Sequence, residues 1–167
     1  MVISNRTFFA FSGIGVIGLL CYGYYLEYFE DLVPCPMCIF QRLCYMAIAA
    51  IALAAVIQGP ARRGGIVYCT LLAVFASIGA GIAGRQIWLQ HLPAELVPEC
   101  GPGLDFMLEM YPLLETIEKA LIGTGDCAEV TWTFLSLSIA EWSLLCFMGI
   151  FVAAAWQLIS NRRHTTA

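Results

Sequence analysis

Four residues, Cys35-Pro36-Met37-Cys38, carry the clearest chemistry in this 167-residue chain. Two thiols spaced CxxC stand at the start of the long apolar run Met37 to Ile57. Pro36 falls where a first helical position would be and where its missing N–H is not needed. The pair therefore crowns a helix N-terminus, whose unpaired N–H groups favour negative charge and hence a reactive thiolate. CxxC is also half of a four-ligand zinc site, for which Cys100 and Cys127 would supply the rest. Against zinc, those two cysteines lie far apart in sequence, and an oxidising compartment favours a disulfide. A bridge between Cys100 and Cys127 admits two roles. As a staple it would contribute about 3–4 kcal/mol. As a mobile disulfide, flanked by Gly101-Pro102-Gly103 and Gly123-Thr124-Gly125, it suits thiol exchange, which needs access to one particular sulfur.

Arg42 follows Cys38 by four residues, on the same helical face one turn deeper. An intramembrane arginine is a functional candidate by default, able to stabilise a thiolate or an oxygen of a lipid-soluble acceptor; the competing role is snorkelling to the headgroups. Arg85, Gln86 and His91 end another apolar run on the same side. There His91 is placed to donate a proton or hydrogen bond to such an acceptor, and interfacial anchoring is the alternative for all three. The remaining cysteines, Cys21, Cys44, Cys69 and Cys146, sit inside apolar runs and read as small packing residues.

The elements that position these groups are membrane spans. The chain is 60% hydrophobic and 12% charged, against roughly a quarter charged in soluble domains, and its mean hydropathy is +0.81. Apolar runs at about 7–28, 37–57, 66–88 and 142–159 each approach the ~20 residues that cross a hydrocarbon core as helix. The first run is longer than a signal-peptide core and lacks a small-x-small cleavage site, and the bulky Leu20 before Cys21 speaks against a lipoprotein, so it is expected to be retained. The expected fold is thus all-α, a four-transmembrane-helix bundle in one domain, 1–167. Arg6, Arg62, Arg63, Arg162 and Arg163 fall on one side, which the positive-inside rule makes cytoplasmic together with both termini. The loops at about 29–36 and 89–141, with the paired cysteines, are then periplasmic. Five arginines scattered over three short segments imply no nucleic-acid partner.

Within the second outer loop, Leu104, Met107, Leu108, Tyr111, Leu114, Ile117 and Leu121 recur at helical spacing, with acidic residues mostly on the other side. Pro112 should break this stretch in two. It reads as an interfacial amphipathic helix or as a small lid folded on itself.

Two cysteine pairs on one side, one in a loop and one at the lipid boundary, suggest a relay from a soluble protein toward something dissolved in the membrane. Such a relay needs an acceptor. The sequence contains no haem, flavin or iron–sulfur motif, and a lipid-soluble quinone fits what remains.

The chain resembles the DsbB family of disulfide bond formation proteins. Pro34-Cys35-Pro36-Met37-Cys38-Ile39-Phe40-Gln41-Arg42 carries the resemblance, with Gly125-Asp126-Cys127-Ala128-Glu129, Trp132, Phe134-Leu135, Trp142 and the four-span layout. The resemblance implies a protein-disulfide:quinone oxidoreductase of the bacterial inner membrane. It implies that a reduced periplasmic DsbA-like thiol oxidase attacks the loop pair at Cys100, with Cys127 as its partner. Electrons then pass to Cys35 and Cys38, with Cys38 engaging a ubiquinone or menaquinone and Arg42 and His91 at quinone-site positions. One departure is Gln41, where relatives commonly have Glu; it leaves the CxxC redox potential open. Two other readings stand beside this one. A vitamin K epoxide reductase-like protein also couples cysteines to a quinone, but its quinone-side CxxC lies on a late span. A non-enzymatic tetraspanin-like organiser has four spans, but its Cys-Cys-Gly loop motif is missing here.

Overall fold

The computed structural model describes residues 4–97, 104–123 and 125–163. Four helices in it are long and apolar enough to cross a membrane: α1 (Asn5–Phe29), α2 (Pro36–Gln58), α3 (Arg62–Gln90) and α7 (Ile139–Arg163). Between α3 and α7 lie α4 (Leu104–Met110), α5 (Leu113–Ile122), the single turn α6 (Gly125–Ala128) and a two-stranded hairpin, β1 (Thr133–Phe134) and β2 (Leu137–Ser138). The expected all-α, four-span architecture is what the chain adopts.

Local chemistry sets the ends of the spans. The Ser4 hydroxyl accepts the Thr7 N–H at 3.2 Å and starts α1. Pro36 opens α2, and Gly59, in the left-handed region at φ 54°, closes it. At α7 the Ser138 hydroxyl accepts the Glu141 N–H at 3.3 Å while the Glu141 carboxylate accepts the Ser138 N–H at 2.6 Å. This reciprocal Ser-x-x-Glu box starts the span at Ile139, three residues before the apolar run suggested.

α2 lies between α1 and α3, and α3 packs most extensively on α7. The shared interior includes Phe9, Val16, Ile48, Leu72 and Phe147, with Cys44 and Cys69 buried among them as packing residues. Gly79 lets α3 approach α7 closely, because any side chain there would meet the Phe147 ring. Tyr45 stacks on Phe147, ring centroids 4.1 Å apart. At the end carrying the chain termini, the Asn5 side-chain oxygen Oδ1 accepts from Gln157 at 2.8 Å and Asn161 at 3.0 Å, tying α1 to α7. At the opposite end a cavity lies among α1, α2, α3 and α7.

Pro112 divides the amphipathic stretch into α4 and α5 as its ring requires. The buried positions are Met107, Thr116 and Ala120, while Phe106, Met110, Leu113, Leu114 and Leu121 face outward. Of the described bulky apolar side chains here, Met107 packs inward and most of the others are outside. The hairpin was not legible in the sequence: its turn is Leu135-Ser136, both at positive φ (51° and 66°), instead of the Asn-Gly type that marks such turns.

Candidate active site

Cys35 is the N-cap of α2, and its sulfur accepts the Cys38 N–H at 3.4 Å. The helix places the second thiol back over the first, so the two sulfurs lie 3.0 Å apart. Both are free thiols here. Cys127, fully buried on α6, brings a third sulfur into hydrogen bonding with Cys35. Met37 and Leu89 are buried in the same cluster. The hydrogen bond with Cys127, that with Cys38 and then burial all push the Cys35 thiol well above its ordinary range. Cys35 therefore stays protonated when reduced.

Gln86 of α3 faces this pair. Its Nε2 donates to the sulfurs of Cys38 at 3.3 Å and Cys35 at 3.4 Å. Its Oε1 accepts from Gln41 Nε2 at 2.7 Å. Both glutamines are 4% exposed, so each amide depends on the other for its hydrogen bonds.

Arg42 lies one turn below Cys38 and reaches toward α1. It pairs with the Glu27 carboxylate, donates to the Gly23 carbonyl at 3.1 Å, and stands 4.9 Å from the centre of the Tyr24 ring. Cys38, Gln41, Arg42 and Gln86 together line one end of the cavity, whose volume is about 520 Å³. The rest of its wall is largely apolar. Tyr22, Trp132, Phe134 and Trp142 form an aromatic side running from α1 across the hairpin to α7, with successive centroids 6.0–6.2 Å apart. The Trp142 indole N–H donates to the Phe134 carbonyl at 3.0 Å and holds the hairpin in place.

The candidate residues thus separate. Cys35, Cys38, Cys127 and Arg42 come together; Cys100 lies outside the described residues. His91 is elsewhere: it caps the C-terminus of α3, exposed, with its Nδ1 2.8 Å from the Ile87 carbonyl, and it does not line the cavity. Gln86 and Gln90, one turn apart, share the face toward the cavity, and His91 stands a further 100° around the helix. Arg85 donates to the Ile122 carbonyl at 2.9 Å and covers the Trp88 ring, so it anchors α5 to α3. Sequence reasoning underweighted Gln86 and did not find Glu27. A signal for Gln86 was present, since a neutral polar side chain inside an apolar span must find a partner.

The family model for disulfide bond formation protein DsbB matches residues 5–157. Among similar proteins, the disulfide bond formation protein B of Hahella chejuensis is 44% identical over 161 residues, covering 96% of both chains. That of Stutzerimonas stutzeri is 44% identical over 156 residues, 93% of this chain and 96% of the relative. That of Methylococcus capsulatus is 47% identical over 147 residues, 88% of this chain and 90% of the relative.

Proposed function

This chain belongs to the DsbB family and is a membrane disulfide oxidoreductase, and we propose that it oxidises a periplasmic DsbA-like dithiol protein and delivers the electrons to a membrane quinone. The observation that carries this reading is Cys38, which lines a largely apolar cavity beside Arg42, with the Cys35 sulfur 3.0 Å from its own and Cys127 hydrogen-bonded to Cys35 in turn.

The residues present fit a quinone. The largely apolar wall suits a ring and the start of an isoprenoid tail, and Arg42, Gln41 and Gln86 supply hydrogen-bonding groups at one end. When bound, the quinone accepts two electrons and two protons. Ubiquinone and menaquinone share that chemistry.

The hydrogen bond between Cys127 and Cys35 supports the following order of exchange. The partner dithiol attacks the Cys100–Cys127 disulfide at Cys100; when the partner's second thiol resolves the mixed disulfide, the partner leaves oxidised and Cys100 and Cys127 are reduced. The Cys127 thiolate attacks Cys35 of the Cys35–Cys38 disulfide, a Cys35–Cys127 bond forms, and Cys38 leaves as thiolate. Cys100 then attacks Cys127, re-forming the loop disulfide and releasing Cys35 as thiol. The Cys35 thiol and the Cys38 thiolate are reoxidised to their disulfide, giving up two electrons and one proton; the second proton is the one lost to solvent when the partner dithiol was deprotonated for its attack. Arg42 and the amide of Gln86 offset negative charge at the cavity end during this step. His91, exposed and outside the cavity wall, has no part in this scheme. The positive-inside distribution supports an inner-membrane placement with both termini cytoplasmic. The outward Leu113, Leu114 and Leu121 support an interfacial position for α5. Family membership favours this function over the vitamin K epoxide reductase-like and tetraspanin-like readings.

Purified protein in detergent should reduce a soluble quinone only when a dithiol protein is supplied, and Cys38→Ser should abolish the reaction. An unchanged rate in that variant would refute the scheme.

A further inference from the structure

The Gln41–Gln86 pair has a geometry that the relay of sulfurs does not by itself require. Gln86 Oε1 is held by Gln41 Nε2 at 2.7 Å, and that bond fixes which end of the Gln86 amide turns toward the cysteines. Its Nε2 stands 3.3 Å from the Cys38 sulfur, while Oε1 is farther, at 3.7 Å. A thiol at Cys38 can donate to Oε1, and a thiolate can accept from Nε2. Both amides are buried, so reversing Gln86 would leave two donors facing each other and an oxygen lone pair facing the sulfur.

We propose that Gln86 is a positioning residue that holds the Cys38 sulfur through its amide N–H, and that Gln41 acts through Gln86 by locking the direction of that amide. The inference deepens the proposed relay: Cys38 is the sulfur expelled as thiolate when Cys35 is attacked, and an oriented neutral donor favours that departure. Ionisable groups also bear on Cys38. Cys35 lies against it and Cys127 lies against Cys35. Arg42, Glu27, Asp126 and Glu129 line the same cavity, with Arg42 engaged by Glu27. Gln41 and Gln86 carry no charge, so the donor they present does not change with pH.

The test is the rate at which Cys38 of the fully reduced, full-length protein in detergent is alkylated by iodoacetamide at pH 7, read by fragment-ion mass spectrometry that separates it from Cys35. This readout needs neither quinone nor dithiol partner, so it is independent of the relay itself. Gln86→Leu should slow alkylation about tenfold, the loss expected for one hydrogen bond to a charged sulfur. Gln86→His, which restores an N–H donor, should recover most of the rate. Gln41→Leu should give a loss of roughly threefold with Gln86 still present, because the amide is no longer held in one direction. Thermal unfolding of each variant shows that it is folded. The inference is overturned if folded Gln86→Leu reacts at the wild-type rate, or if Gln86→His is as slow as Gln86→Leu. A wild-type rate in Gln41→Leu removes the lock.

Discussion

Glu27 and Arg42 form an ion pair between α1 and α2 at the wall of the cavity that also receives Cys38. The guanidinium is held on three sides, by the Glu27 carboxylate, the Gly23 carbonyl and the Tyr24 ring. Its side chain is only 20% exposed. The guanidinium thus spends its hydrogen bonds on α1 at the cavity wall.

Arg42→Met should therefore raise the KM for a soluble quinone about tenfold, the worth of one charge-assisted hydrogen bond. Glu27→Gln should raise it less, because Gly23 and Tyr24 still hold the guanidinium. In the double variant Glu27→Gln should add nothing, since its effect passes through Arg42. Steady-state kinetics of the four proteins check this; an equal effect of Glu27→Gln in both backgrounds would separate the two residues.

Cys127→Ser should reduce turnover with a dithiol protein to background, because no other loop sulfur contacts Cys35 among the described residues. A small dithiol that enters the cavity and reduces Cys35–Cys38 directly should still support quinone reduction. Comparing the two donors on the same variant distinguishes a broken relay from a broken site.

The raised pKa of Cys35 has a stability consequence for the reduced protein. In the folded state Cys35 keeps its proton at pH values where the unfolded thiol, with an ordinary value near 9.0, loses it. Its contribution is complete below about pH 9 and is lost as pH rises beyond that toward the folded value. The Tm of the reduced protein should fall as the buffer is taken from pH 9 to 10.5, and Cys35→Ala should flatten that dependence. A Tm that rose over this range would contradict the burial and hydrogen bonding assigned to Cys35.

Two substitutions report on the scaffold. Ser138→Ala, which removes the cap of α7 and the hydrogen bond to Gln90, should cost about 1 kcal/mol. Gly79→Val, forced against the Phe147 ring, should cost roughly 1–3 kcal/mol. Unfolding in mixed detergent with tryptophan fluorescence would measure both.

The sequence alone determined the spanning helices, the division of the loop helix and the placing of the CxxC thiols. Four apolar runs near 20 residues specify spanning helices because lipid leaves the backbone no other partners. Pro36 before Met37 and Cys38 puts the thiols on a helix N-terminus, and Pro112 divides the loop helix, by geometry local to each residue. What it could not determine was which way each span faces. The spans are apolar nearly all round, so composition does not distinguish a lipid-facing side from an inward one. His91 was therefore as good a candidate as Gln86 until α3 had a rotation. Packing set that rotation: Gly79 admits Phe147 on one side and Leu89 enters the cysteine cluster on another. With α3 so turned, Gln86 meets Cys38 and His91 does not. The contact of Cys127 with Cys35 and the pairing of Glu27 with Arg42 likewise join residues distant in sequence, and only the folded chain brings them together.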